Sequence, residues 1–357
     1  MKKMTMSKTS RQNFITYAMV IVVYVIFQTL SAMGNLSSLM QGLLVPLCTY
    51  SILAVSLNLT VGVLGELSLG HAGFMCVGAF SSAFFTACMK DTITNDLLRF
   101  ILAFIVAAVC AGICGILIGI PVLRLKGDYL AIVTLAFGEI IMNIINALYI
   151  GRDENGFHFS MKDSMSLNMS DSGKIIIKGA QGITGTARQS TFAIGIILLL
   201  LTLVVVLNLM NSRSGRAIMS IRDNRIAAES VGIDITKYKI MAFAISASLA
   251  GLAGCLYAHN LSSLTALPKN FGYNMSIMIL VYVVLGGMAN MRGSIIAAVL
   301  LTIIPELLRE IGEYRMLIYA VIMIVMMIFN WSPKVREWRK AHSIKGAFHK
   351  KNVKEAE

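Results

Sequence analysis

Charge is scarce in this chain. Only 14% of its 357 residues are charged, and Asp and Glu together number 18. A soluble domain carries about 25% charged and about 45–50% apolar residues. Here 57% are hydrophobic and mean hydropathy is +0.75. So large an excess cannot be hidden in one aqueous core, and lipid is the solvent that suits it. Chemical motifs are missing too. There is no G-x-x-x-x-G-K-[ST] loop and no G-x-G-x-x-G following a strand, so the chain has no recognisable means of hydrolysing ATP. No H-E-x-x-H or cysteine-pair zinc pattern occurs, and no basic face is interleaved with aromatics as nucleic-acid binding requires. The six cysteines (Cys48, Cys76, Cys88, Cys110, Cys114, Cys255) all lie in or at the ends of apolar segments. None sits in the one long polar stretch, which argues against a disulfide framework. Cys110 and Cys114 share a helix face, but no His or acidic residue lies near them to complete a metal site. An enzyme, a metal or cofactor carried by this chain, and a nucleic-acid partner are therefore not expected.

What the chain has is long apolar runs. About 20 apolar residues span a bilayer core as a helix. Ten runs fit: 14–33, 42–60, 70–88, 98–120, 129–150, 191–210, 237–258, 273–288, 294–308 and 315–331. The fold class expected is an all-α integral membrane bundle of about ten transmembrane helices. The first run begins at Phe14, behind Lys2, Lys3, Lys8 and Arg11. It is long and has no small-residue cleavage site, so it reads as a retained helix and not a signal peptide. Basic residues mark the cytoplasmic side. With the N-terminus inside, the inside segments hold Arg124, Lys126, the 211–236 loop with its four arginines, Arg292 and the basic tail, which together take most of the 31 basic residues. Both termini are thus expected in the cytoplasm. The organisation expected is a basic cytoplasmic N-terminus (1–13), a transmembrane domain (14–331) and a basic cytoplasmic tail (332–357). The domain includes an external loop or small cap over 151–190 and a cytoplasmic loop over 211–236. The net charge of +13 faces anionic lipid headgroups.

The 211–236 loop carries a short helix pattern. Asp223 or Asn224 can cap a helix over 223–231, Gly232 can end it in the left-handed conformation, and Arg225 and Glu229 are spaced to pair. Such a helix can be a docking peg for a soluble partner or an ordinary amphipathic connector at the lipid surface. Ala227-Ala228-x-x-x-Gly232 resembles the E-A-A-x-x-x-G loop of ATP-binding-cassette importer permeases, with Ile226 where that loop has Glu. Gly215-Arg216-Ala217, Arg222, Gly232-Ile233 and Tyr238-Lys239 extend the likeness. Leu57-Asn58-Leu59, Gly65-Glu66-Leu67-Ser68-Leu69-Gly70-His71 and the run Gly127-Asp128-Tyr129-Leu130-Ala131-Ile132-Val133-Thr134-Leu135-Ala136-Phe137-Gly138-Glu139-Ile140 resemble branched-chain amino acid permeases of the LivM type over roughly 45–310. The resemblance implies a second, related permease subunit, two cytoplasmic ATPases that bind the ATP and Mg, and an extracytoplasmic substrate-binding protein. It implies a role in ATPase coupling for Gly215, Arg216, Arg222, Asp223, Asn224, Arg225, Ala227, Ala228, Glu229 and Gly232. Urea and short-amide permeases share much of the pattern, so they remain an alternative.

Within the membrane, Glu139, Asn143 and Asn146 fall at i, i+4 and i+7 on one helix face. Polar groups at that depth face a wet cavity or another helix. They are candidates for the wall of a translocation pathway, the alternative being interhelical hydrogen bonds of about 0.6 kcal/mol each. Glu66, Ser68 and His71 lie on a glycine-flanked turn that either lines a gate or forms a solvated turn with Glu66 against His71. Two stripes of small residues, Ala111, Gly115, Gly119 and Ser246, Ala250, Gly254, Ala258, point to close helix packing. A proton-coupled carrier using Glu139 or His71 is the rival mechanism.

Overall fold

The computed structural model describes residues 8–34, 37–90, 92–125, 127–154, 156–167, 169, 173–308 and 314–331. The tail 332–357 and the first seven residues, with Lys2 and Lys3, lie outside them. Each of the ten apolar runs falls on one helix. These are α1 (Lys8–Ala32), α2 (Ser38–Asn58), α3 (His71–Cys88), α4 (Asp96–Val122), α5 (Asp128–Ala147), α6 (Phe192–Asn211), α9 (Ile235–Ala258), α11 (Tyr273–Gly286), α12 (Met291–Leu307) and α13 (Arg315–Trp331). Between them lie three short helices, α7 (Arg213–Asp223), α8 (Arg225–Ser230) and α10 (Pro268–Phe271). Among the described residues, seven helices, α1–α6 and α9, are long and apolar enough to cross a bilayer. At 1.5 Å per residue, α11 covers about 21 Å and α12 and α13 about 25 Å each, short of a hydrocarbon core of about 30 Å.

The all-α expectation omitted two small sheets. Strands β1 (Tyr149–Asp153), β2 (Gly156–Ser160) and β3 (Lys174–Lys178) form an antiparallel sheet in the order β2-β1-β3. Strands β4 (Ile183–Thr184) and β5 (Ser263–Leu264) pair across 79 residues of chain, Ile183 opposite Leu264. The described part of 151–190 is thus built on strands, and this strand-bearing segment is the cap.

Residues 1–299 form one compact unit and 300–357 a second. In the first, α9 is the central helix, packed on α3, α4 and α2. Small residues make this possible. A Cβ on Gly251 would lie 2.5 Å from the Ala107 carbonyl, and one on Gly254 would lie 2.1 Å from that of Met75. The α4 stripe meets α9 where Gly115 abuts Ala247. Lipid tails are as apolar as leucine, so backbone contact and hydrogen bonds, not burial from water, hold such helices together. Outward faces stay greasy: Ile101, Ile105, Val109, Ile113 and Leu117, spaced by four on α4, are all half or more exposed. In the second unit, α13 presents Leu317, Val321, Ile324 and Ile328 as a similar exposed stripe.

The connections of the first unit segregate to two ends. At one, Arg152 Nη1 donates to the Cys88 carbonyl at 2.9 Å, β4 meets β5, and the Gln189 and Ser190 amides donate to the His259 carbonyl. At the other, Arg222 Nη1 donates to the Gly62 carbonyl at 2.9 Å, Lys239 pairs with Glu66, and Asn58 Oδ1 accepts from Ala289 N at 2.8 Å. Helix α3 runs between the two ends, about 27 Å at 18 residues.

Candidate functional site

The second end is built around α7 and α8. Ser212 Oγ accepts the Gly215 amide at 3.1 Å and starts α7. Gly215 touches the last turn of α6, where a Cβ would sit 2.0 Å from the Leu209 carbonyl, so α7 folds straight back on α6. Its inner face buries Ile218 and Ile221, and Arg216 Nη1 donates to the Asn211 carbonyl at 3.1 Å. Helix α8 then spans 225–230, within the expected 223–231. Asn224 is its cap, with Oδ1 accepting from Ala227 N at 3.1 Å. Asp223 instead ends α7 and receives the Arg222 Nε and Nη2 donors at 3.0 and 2.9 Å. Gly232, at φ +83°, closes α8: its amide donates to Glu229 O at 3.0 Å and that of Ile233 to Ala228 O at 3.1 Å, a Schellman pair of bonds. Ala228 is the inward residue, clustered with Ile221 and Ile235. Arg225, Ala227 and Glu229 face solvent, and among the described residues Arg225 and Glu229 form no ion pair, contrary to their spacing. The apolar side chains Ile226 and Val231 are 80% and 75% exposed.

This knuckle is keyed to the membrane helices. Beyond Asn58, α2 widens into a π-helical turn over Leu59–Leu64 that ends on Gly65 at φ +83°. Arg222 lies over it. A Cβ on Gly65 would be 2.6 Å from Arg222 Cγ, so the left-handed conformation and the close approach both require glycine. Glu66 is paired with Lys239, which is 4% exposed, and not with His71. A cavity of about 390 Å³ opens beneath α8, lined by Leu64, Glu66, Arg225, Ile226 and Lys239 among others.

From Gly65 to Gly70 the chain is not helical, and protein covers its second half: Ser68 and Gly70 are buried, whereas Gly65 and Leu67 are exposed. Leu69 N donates to Thr134 Oγ1 at 3.0 Å, and Ala72 N to Ser276 Oγ at 3.1 Å. His71 is 2% exposed with Nε2 2.7 Å from Ser56 Oγ. The Ser56 hydroxyl donates to Leu53 O at 2.9 Å, so the imidazole Nε2 is the donor to Ser56. Ser68 is 1% exposed, and its Oγ has no partner among the described residues.

On α5 the three polar residues diverge. Glu139 Oε1 accepts from Tyr273 N at 2.7 Å, capping α11, and Asn146 Nδ2 donates to Ala266 O at 2.9 Å. Both satisfy backbone freed where the chain breaks before α11, as non-helical backbone at membrane depth demands. Asn143 donates to the Glu139 carbonyl of its own helix at 2.8 Å and is exposed, flanked by exposed Ile140 and Ile144. Spacing within the sequence missed Ser56, Asn58, Thr134, Lys239 and Ser276. Lys239 carried a signal, a second cation two residues inside an apolar run that opens on Lys237; the hydroxyls carried none.

Comparison with known proteins agrees with this architecture. The model of the family described as branched-chain amino acid transport system / permease component matches residues 39–329. The high-affinity branched-chain amino acid transport system permease protein LivM of Salmonella typhimurium is 35% identical over 294 residues, which cover 80% of this chain and 67% of that protein. LivM of Escherichia coli matches to the same extent. A probable branched-chain amino acid transport permease LivM of Methanocaldococcus jannaschii is 28% identical over 55% of this chain and 52% of its own length. No solved structure matches significantly.

Proposed function

Because the chain belongs to the branched-chain amino acid transport permease family, we propose that it carries branched-chain amino acids inward by alternating access, driven by partner ATPases. It is a multi-pass protein of the bacterial plasma membrane and a transport subunit. In our reading all ten runs cross the bilayer, both termini are cytoplasmic, and the domain 14–331 lies between a basic N-terminus and a basic tail. The ATP and Mg are bound by two cytoplasmic ATPases. A second permease subunit completes the pathway, and an extracytoplasmic protein delivers the substrate.

One observation supports the coupling role: a helix capped at both ends leaves two large apolar side chains exposed, Ile226 within it and Val231 at its C-cap. In our reading the two side chains seat a soluble partner, their capped helix holding them in fixed positions. Ile226 stands where the E-A-A-x-x-x-G loop that this segment resembles has Glu, so the seat proposed here is apolar at that position. Closure of the ATPases would move α8 and, through Ala228 and Arg222, the π-helical turn and the start of α3. Gly215, Arg216, Asp223, Asn224, Arg225, Ala227, Glu229 and Gly232 form or orient the peg. Of the pathway candidates, Asn143 has the strongest support, since an exposed amide on an apolar face costs free energy in lipid and calls for water or a partner. Glu139, Asn146, Glu66, Ser68 and His71 would act by holding the broken segments beside it.

The experiment is uptake of leucine, isoleucine, valine, urea and acetamide by proteoliposomes containing the affinity-purified complex. ATP-dependent uptake of the three amino acids alone is expected. Uptake that needs no ATPase and collapses with the proton gradient would reverse the reading in favour of a proton-coupled carrier.

A further inference from the structure

The cap encloses a cavity of about 410 Å³ between β1, β3, β4 and the end of α3 that plays no part in the coupling apparatus. Pockets that hold small metabolites are of this size, mostly apolar, with a few polar groups fixing orientation. Here the apolar wall is Ile175, Ile176 and Ile183, the last two 8% and 2% exposed. The rim carries charge of both signs. Two of these charges are already engaged. Asp153 Oδ1 accepts from Gly156 N at 3.1 Å and lies 3.1 Å from His158 Nε2. Arg152 donates to the Cys88 carbonyl and lies over the Phe157 ring. The side chains of Glu154, Lys90 and Lys174 also line the cavity and have no hydrogen-bond or ion-pair partner among the described residues.

A carboxylate and two ammonium groups, all without a partner among the described residues, and a wall of isoleucine complement one class of small molecule on all three counts. A ligand of single charge would leave one sign on the rim unanswered, and a plain hydrocarbon would leave both. We propose that this cavity is a receiving site for a zwitterionic α-amino acid with a branched aliphatic side chain. Its ammonium group would be held by Glu154, its carboxylate by Lys90 and Lys174, and its side chain by the isoleucines. The inference rests on the reading above that branched-chain amino acids are carried and that the cap faces the outside.

The test is direct binding of radiolabelled leucine to the purified complex in nanodiscs without the substrate-binding protein, beside uptake by the complete transporter. Saturable binding is expected. Glu154→Gln, which removes one charge-assisted hydrogen bond, and Thr184→Trp, which fills the mouth from an exposed position, should each weaken it by about tenfold or more. Leucinol, which has no carboxylate, should compete poorly. Absence of direct binding in the native complex, or binding unchanged in both variants, overturns the receiving site. Variants that bind leucine normally but lose affinity for the substrate-binding protein also overturn it, giving the cavity to that protein. In all these cases ATP-driven leucine uptake by the native complex leaves the transport reading standing. A native complex that takes up no branched-chain amino acid overturns that reading instead.

Discussion

His259 illustrates what a single side chain does at the capped end. It is fully buried beyond the last turn of α9. Its Nδ1 lies 3.0 Å from the Cys255 carbonyl, which can only accept, so Nδ1 carries the proton. Nε2 lies 3.3 Å from Thr86 Oγ1, the ring packs 5.0 Å from Phe100, and Arg99 is close enough to act on it. Burial pushes its pKa below the ordinary value, and the positive Arg99 pushes the same way, against a smaller opposing effect of the Cys255 bond. The folded protein thus prefers neutral imidazole. As pH falls below the usual histidine range of about 6.5, the unfolded chain takes up the proton first and stability drops. Melting temperature in detergent should therefore decline from pH 8 to pH 5, and His259→Gln should flatten that decline. An equal slope in the variant would assign the acid sensitivity elsewhere. No pattern in the sequence pointed to this residue, because its partners come from α3 and α4, more than 150 residues earlier in the chain. Lys239 and Glu66 are alike in this: 173 residues separate them.

Helices were easier to read than what joins them. All ten apolar runs coincide with helices, and for the seven near twenty residues or longer lipid leaves few other options. The ends of α8 were legible as well: Asn and Gly have distinct roles at helix termini, and both fill them here. The strands were not foreseen, since each has five residues or fewer inside a polar stretch with too little alternation to register. The break before α11 was hidden for a different reason. Residues 259–272 read as a plain loop, and only the bonds from Asn146 and Glu139 reveal that part of it packs against α5. A test of α8 follows from its geometry. Gly232 sits at φ +83°, and proline is fixed near −65°, so Gly232→Pro must open the Schellman turn. Uptake should fall by about tenfold or more, a loss of some 1.4 kcal/mol in coupling, while membrane insertion and basal ATP hydrolysis persist. Unimpaired uptake would reduce α8 to a connector.

Within residues 1–299, six of the connections sort by end. Those after α3, α5 and α9 meet at the cap; those after α2, α6 and α11 meet at the α7–α8 knuckle. The alternation expected from charge counting would put the knuckle in the cytoplasm and the cap outside. Cysteines introduced at Thr184 and Val231, both exposed, give it a direct check. A membrane-impermeant maleimide added to whole cells should label the first and spare the second. Labelling of Val231→Cys from outside would invert the topology and with it the energy source.

The central position of α9 has a consequence for biosynthesis. Ribosomes deliver the N-terminal helices first. By the time α9 emerges, α2, α3 and α4 are already made, yet α9 supplies much of the surface they pack against. Ser246 on α9 bonds the Ser56 carbonyl, and the Asn58 side chain waits longer still for Ser294. The early segments must therefore linger in the bilayer or the insertion machinery with polar groups unanswered. Nascent chains truncated before residue 235 should be poor survivors, prey to membrane proteases that the finished bundle escapes.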